Sequence, residues 1–308
     1  MTKLISRVLF FVLFSFIVFQ PYSVVVADGQ ETSTVTQDIW HIDLHGVARS
    51  FPNEQNFARL RFYRWKNNCW TPSDADEFFQ TQEPDVPLIV LTLGYSLTSR
   101  DVSRVGHTIV RTFNADQKGR IVFWDWFSDR GTCRIRMDIR GKVPIADYAG
   151  KYLALFLQSV KPESKVCLFG FSFGSRIVCQ SVEDLQRSEN MPENLRLHLV
   201  LSGAAMDQDW LVSGQRYGNV IKTAEKILVT YNPDDWVLRL YPLIYHLGHS
   251  PVALGLEGVP IQRIAPEFRS RIDNINVEPY MGSAHQTIQH VISPVFRSRV
   301  NEYFFFNP

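Results

Sequence analysis

The sequence predicts an α/β protein: a mostly parallel, eight-stranded sheet with helices on both faces. Three observations carry that expectation. Apolar, β-rich runs alternate with helix-like stretches along most of the chain, the pattern of parallel strands joined by crossovers. The run "VPLIVLTLG" (86–94) is apolar almost without a break, as a strand buried on both faces must be. And "KVCLFGFSFGSRIVCQS" (165–181) passes from an apolar strand into a helix through a very short turn.

The elements follow in order. "DIWHIDLHGV" and "FARLRFYRW" read as two early, alternating strands with antiparallel character. The strand 86–94 is followed by a helix, "SRDVSRVGHTIVRTFNAD", and then by the strand "GRIVFWDWF" (119–127). A long loop leads to the amphipathic helix "IADYAGKYLALFLQSV" (145–160), then to the strand and helix around Ser172. "LRLHLVLSG" (195–203), "EKILVTYN" (225–232) and "NINVEPYMG" (274–282) supply three more strands. The closing segment from Gln286 to Phe305 is helical, with a break at Ser293-Pro294. The stretch 237–273, rich in Gly and Pro, exceeds what a simple crossover needs and is a candidate cap or lid. One domain, 28–308, is expected after an N-terminal signal.

That signal is read from residues 1–27. Lys3 and Arg7 precede a short apolar core, Val8 to Phe19, and Val25 and Ala27 stand at small-residue positions before Asp28. A core of about 12 residues falls short of the ~20 that span a bilayer, so cleavage near Ala27 and export, periplasmic or secreted, are expected with no lasting membrane span. The whole chain of 308 residues carries a formal net charge of +1, which gives no electrostatic reason to expect nucleic acid as a partner.

Export changes how the four cysteines read. Cys167, in an apolar strand, and Cys179, on the next helix, are core residues. Cys69 and Cys133 fall in polar, loop-like stretches and are candidates for a disulfide in an oxidising compartment. His41 and His45 stand four apart on a strand, some 13 Å at ~3.3 Å per residue, too far to share a metal. Neither a metal nor a cofactor is expected.

The chemistry centres on Gly170-Phe-Ser-Phe-Gly174. Gly-x-Ser-x-Gly turns up by chance roughly 0.1 times per chain of this length, so the bare pattern says little. Its position between a buried strand and a helix says more. A nucleophilic serine on such an elbow needs a strained turn, and side chains at Gly170 and Gly174 would strike neighbouring backbone. The following helix directs backbone N–H groups at a developing anion, making Phe173 N–H an oxyanion donor. The serine needs a base. Of the histidines after it, His198 lies inside a strand, His246 and His249 in the candidate cap, and His290 on a helix, pointing away. His285 lies beyond the last strand, on the carboxyl edge that also carries Ser172. Two acids follow strands on that edge, Asp235 and Asp207, and both keep the order Ser…Asp…His; Asp235 is preferred. Asp234 points elsewhere on its turn.

The order of "GFSFGSR", "YNPDDWVL" and "MGSAHQT" resembles the α/β-hydrolase superfamily, lipase- and esterase-like. "IVLTLGYS" is similar to the strand and turn before that family's oxyanion loop, and "IVFWDW" to its next strand. The likeness covers most of residues 86–305. More narrowly it is to an uncharacterised group of exported bacterial hydrolase-like proteins with a Gly-Tyr-Ser-Phe-Gly-type elbow. The resemblance implies an α/β-hydrolase fold, Ser172 as nucleophile, His285 as base, Asp235 as the orienting acid, and Tyr95 N–H as second oxyanion donor. It implies a small acyl ester as substrate. Leu93-Gly94 departs from the family's His-Gly at the oxyanion turn, and His45-Gly46 lies on an early strand, away from that loop. A non-catalytic binding or structural module on the same fold is the alternative, favoured by that missing histidine and by Phe171 and Phe173 beside the serine.

Overall fold

Seven parallel strands form the body of the sheet, and a hairpin extends it at one edge. The computed structural model describes residues 37–113, 117–245 and 251–307. In chain order the strands are β1 (Asp38–Asp43), β2 (Arg61–Lys66), β3 (Cys69–Ser73), β4 (Leu88–Thr92), β5 (Arg120–Asp125), β6 (Lys165–Phe171), β7 (Arg196–Ser202), β8 (Lys226–Tyr231) and β9 (Ile272–Asn276). Across the sheet they run β3-β2-β1-β5-β4-β6-β7-β8-β9. β2 is antiparallel to β1, and β3 to β2. The principal helices are α1 (Ala75–Gln80), α2 (Ser99–Val110), α3 (Ile135–Gln158), α4 (Phe173–Arg187), α5 (Trp236–Arg239), α6 (Thr287–Ile292) and α7 (Pro294–Phe305).

The sheet has nine strands where eight were expected, because Cys69 to Ser73 is a strand and not a loop. Asn67 and Asn68 both take positive φ (52° and 59°), which gives the two-residue turn that matches strand twist. Pro72 is tolerated because β3 is an edge. The helix expected from Ile145 starts at Ile135, and Pro144 sits inside it. The last predicted strand stops at Asn276, and Glu278–Met281 forms a turn of helix instead.

Each strand sends alternate side chains to opposite faces. Ile121 and Phe123 join Ile89, Leu91 and Phe169 beneath α2, α6 and α7, whose Val105, Val291, Phe296 and Phe304 close that core. On the other face Trp124 meets Phe156 of α3, with Trp40 edge-on to Phe78 of α1. α3 and α4 pack closely there: a Cβ at Gly150 would lie 2.8 Å from the Ile177 carbonyl.

Cys69 and Cys133 are exposed, separate thiols and do not form the disulfide considered above. Cys69 pairs with Lys66 at the amino edge of the sheet, whereas Cys133 follows β5 at the carboxyl edge. A strand's length lies between them, well beyond the ~7 Å Cα separation that a bridge allows. Cys167 and Cys179 are buried, and burial raises both thiols. Residues 1–36, with the signal expected there, lie outside the described residues. No described helix is long and apolar enough to cross a membrane.

Candidate active site

Ser172 stands between β6 and α4 with φ 54° and ψ −115°, a conformation a non-glycine residue rarely adopts. Such a residue costs on the order of 1–3 kcal/mol, and it persists only where its surroundings hold it. Here Ser172 N–H donates to the Ser202 carbonyl (3.0 Å), and the Ser172 carbonyl accepts from Ala205 N–H (3.2 Å) and Ser175 N–H (3.2 Å). The two glycines answer to space. A Cβ at Gly174 would fall 2.0 Å from the Thr92 carbonyl oxygen, and one at Gly170 2.5 Å from Ser175 Cα. The backbone collisions expected at both positions are found.

His285 reaches the serine from the loop before α6. Its Nε2 lies 3.0 Å from Ser172 Oγ, and its Nδ1 lies 2.5 Å from Asp235 Oδ2. Asp235 is fully buried, and its other oxygen accepts from Leu238 N–H at the start of α5 (3.0 Å). With Nδ1 facing a carboxylate, Nε2 is left to accept the hydroxyl proton. Asn232, which the sequence reading did not single out, ties the two loops together. Its Nδ2 donates to the Gly282 carbonyl (2.8 Å), and its Oδ1 accepts from Asp234 N–H (3.0 Å).

Asp207 does not reach His285. Its Oδ1 accepts from Tyr241 OH (2.6 Å), and its backbone bridges to Ala253. Asp234 pairs with Arg239. His198 is buried on β7, with Nδ1 3.1 Å from the Tyr303 carbonyl; His246 and His249 lie outside the described residues.

His290 does not point away: it is buried beside Phe171, ring centroids 5.3 Å apart, and close behind His285. Its Nδ1 lies 3.2 Å from Thr230 Oγ1, which in turn is 2.8 Å from Ser202 Oγ. Burial pushes its imidazole down to about 3, with a smaller push from His285. Phe171 also packs on His285 (4.9 Å), and Phe173 stacks on Trp126 (5.9 Å), so both aromatic neighbours of the serine are engaged in packing.

The turn after β4 lies against the elbow: a Cβ at Gly94 would come 3.1 Å from Ser172 Cβ. Tyr95 follows it, so its backbone and that of Phe173, the first residue of α4, flank the serine from two sides. The turn is held from β5 and α3. Trp126 Nε1 donates to the Leu93 carbonyl (2.9 Å), Ser96 N–H to the Ser128 carbonyl (2.9 Å), and Tyr95 OH to Asp138 Oδ2 (2.5 Å). Burial and that hydrogen bond raise the Tyr95 phenol, so the hydroxyl stays a donor. The described part of 237–273 is laced to the same edge, with Leu254 N–H donating to the Met206 carbonyl (2.7 Å) and Gly255 N–H to the Ala204 carbonyl (2.9 Å).

His41 and His45 correct a second expectation. β1 ends at Asp43, and His45 lies in the following turn, so the straight-strand separation does not apply. Both rings turn to one carboxylate: Asp125 Oδ2 is 2.9 Å from His41 Nε2 and 3.8 Å from His45 Nδ1.

No family model matches the chain. Among curated proteins it is similar to the transmembrane and coiled-coil domain-containing protein STS1 of Oryza sativa subsp. japonica. They are 27% identical over 155 residues, which is 47% of this chain and 21% of that protein, so the match spans about a fifth of the curated relative's length. Among solved structures it is similar to the lin2722 gene product of Listeria innocua (14% identity, TM-score 0.39, 71% of this chain and 93% of that one). It is also similar to a lipase-esterase related protein from Clostridium acetobutylicum ATCC 824 (10%, 0.37, 70% and 94%). A third is the catalytic core domain of acetyl xylan esterase from Trichoderma reesei (11%, 0.32, 72% and 96%). The mostly parallel sheet, helices on both faces and strand–serine–helix elbow are those of an α/β-hydrolase-type fold.

Proposed function

We propose that the chain is a serine hydrolase that cleaves a small carboxylic ester through an acyl-enzyme. One observation carries the reading: the unbroken hydrogen-bonded path Ser172 Oγ–His285–Asp235, ending on a serine held at positive φ. A surface serine between two convenient glycines needs neither the strain nor the histidine.

In this reading His285 Nε2 takes the Ser172 proton as Oγ attacks the acyl carbonyl, and Asp235 holds the imidazole and stabilises its cation. The backbone N–H groups of Tyr95 and Phe173 receive the oxyanion. The imidazolium then protonates the departing alcohol, and a water deprotonated by His285 releases the acid and restores Ser172. Esters are the expected class because an alkoxide leaving group asks least of the protonation step. The N-terminal residues 1–27 add the proposal that the enzyme works outside the cytoplasm. Mass spectrometry of the mature chain, expected to start near Asp28, tests it.

The direct test of the chemistry is labelling with a fluorophosphonate probe, beside Ser172→Ala. Labelling of the wild type alone, with turnover on a panel of short-chain esters, is the expected result. A folded wild type that neither labels nor turns over any ester returns the chain to the non-catalytic alternative.

A further inference from the structure

Two and three strands from the serine strand β6, the ends of β5 and β1 carry a second group of titratable side chains with no part in ester hydrolysis. Asp43 and Asp125 are register partners on adjacent parallel strands, so their side chains leave the same face side by side. His45 folds back over them. Its Nδ1 lies 2.8 Å from Asp43 Oδ1 and 3.8 Å from Asp125 Oδ2. These three donor atoms all lie within 4.8 Å of one another.

Asp43 and His45 each have an outer partner on the atom away from the cluster, whereas Asp125 is held by His41 through the same Oδ2 that faces His45. Arg61 Nη2 lies 2.5 Å from Asp43 Oδ2, and His41 Nε2 lies 2.9 Å from Asp125 Oδ2. The far nitrogen of His45, Nε2, is 3.6 Å from Asp129 Oδ2. A carboxylate behind the non-ligating nitrogen is how a metal-bound histidine is oriented, though at 3.6 Å the hydrogen bond itself is not made and His45 Nε2 has no partner. Asp125 supplies an independent observation. It is fully buried; its Oδ2 lies 2.9 Å from His41 Nε2 and 3.8 Å from His45 Nδ1, while its Oδ1 has no hydrogen-bond partner. A buried carboxylate oxygen without a partner costs roughly 1–3 kcal/mol or more, which an ion held by both oxygens of Asp125 would relieve. Three carboxylates, those of Asp43, Asp125 and Asp129, gather here against Arg61 and the more distant Lys142, so carboxylates outnumber the Arg and Lys charges.

We propose that Asp43, His45 and Asp125 bind a divalent first-row transition ion, with zinc the best fit. One imidazole and two carboxylates form a mixed N/O set suited to zinc rather than to calcium, which takes six to eight oxygens. Around a tetrahedral ion with bonds of about 2.0–2.2 Å the ligand atoms stand about 3.4 Å apart. The present 2.8 and 3.8 Å bracket that value, and the third separation is no more than 4.8 Å, so movements of about an ångström or less complete the site. A cavity bordered by His41, Asp43, Tyr63 and Trp70 opens beside it and gives the ion a way in. The ion would pin the turn after β1 to the segment after β5. That segment holds the Tyr95 turn through Ser128, whose Oγ donates to the Leu97 carbonyl (2.8 Å).

The test uses the full chain, stripped with a chelator and titrated with zinc alone by calorimetry, with bound metal counted by elemental mass spectrometry. One equivalent per chain at micromolar affinity or tighter is expected. His45→Gln should weaken binding at least tenfold, and Asp129→Asn, a change at a half-exposed side chain, about tenfold. Ser172→Ala should bind zinc as the wild type does, which separates this proposal from the esterase reading. Any of four results overturns it: no saturable binding below about 100 µM, His45→Gln within twofold of wild type, loss of binding in Cys69→Ser/Cys133→Ser instead, or calcium binding as tightly as zinc.

Discussion

Two histidine–carboxylate assemblies share the carboxyl edge of this sheet, with one strand, β4, between the serine strand β6 and β5, the nearer strand of the second group, a spacing of roughly 10 Å. At β6 the groups stand in line: hydroxyl, imidazole, carboxylate, each touching only the next. At β1 and β5 they converge, with two imidazoles and two carboxylates around one small space. The residue types are nearly the same. A line moves a proton from one end toward the other, whereas a convergent group concentrates negative charge at a point. Arrangement, set by where each strand stops, decides the chemistry.

The sharpest break of that comparison is Ser172→Ala, which should lower ester turnover by 10⁴-fold or more in a steady-state assay and leave zinc uptake intact. A comparable loss in His45→Gln would mean that the two assemblies are one machine. Next, Asp235→Asn should cost about 10³–10⁴-fold in kcat, because the amide orients the wrong tautomer. Asp207→Asn, by contrast, should stay within about threefold. Equal effects from the two would dissolve the linear arrangement.

Gly174→Ala bears on the scaffold of the line alone. Its Cβ would sit 2.0 Å from the Thr92 carbonyl oxygen, so a loss of about 3 kcal/mol is expected, read as a lower midpoint in urea or heat. A variant as stable as wild type would show that the elbow can move. The effect that is smallest per pH unit concerns His290, held near 3 by burial against an ordinary 6.5. Below pH 6.5 the unfolded chain takes up a proton that the folded chain refuses. Stability is therefore lost by up to about 1.4 kcal/mol per pH unit from 6.5 down toward 3, with no contribution above about 7.5. The fall in unfolding free energy between pH 6.5 and 4.5 should be shallower in His290→Gln; equal slopes would remove His290 from the acid response.

Much of the line was readable before the structure, because local patterning marks it. Ser172 is flanked by glycines at a strand end, and Asp235 and His285 each follow an apolar run, so all three inherit the same edge. The remainder depends on where elements stop. The sequence predicts the first strand through Val47, and its end at Asp43, four residues earlier, turns an apparent 13 Å separation into a shared contact on Asp125. His290 was misplaced because the loop before α6 sets which side of that short helix faces Phe171. β3 hid behind Pro72 and two asparagines, yet Asn67-Asn68 between alternating runs was the signal for a hairpin. Asn232 had no signature, since its task is a contact with a carbonyl fifty residues away.

Pro72 also bears on how this molecule behaves in a crowd. A sheet ends in a row of backbone donors and acceptors, and a second chain can add itself there strand by strand, the first step toward fibrous deposits. On β3 that row contains a residue with no N–H to offer and a rigid ring in the path of an incoming strand. The hairpin that lengthens the sheet by two strands therefore also seals it against further growth on that side.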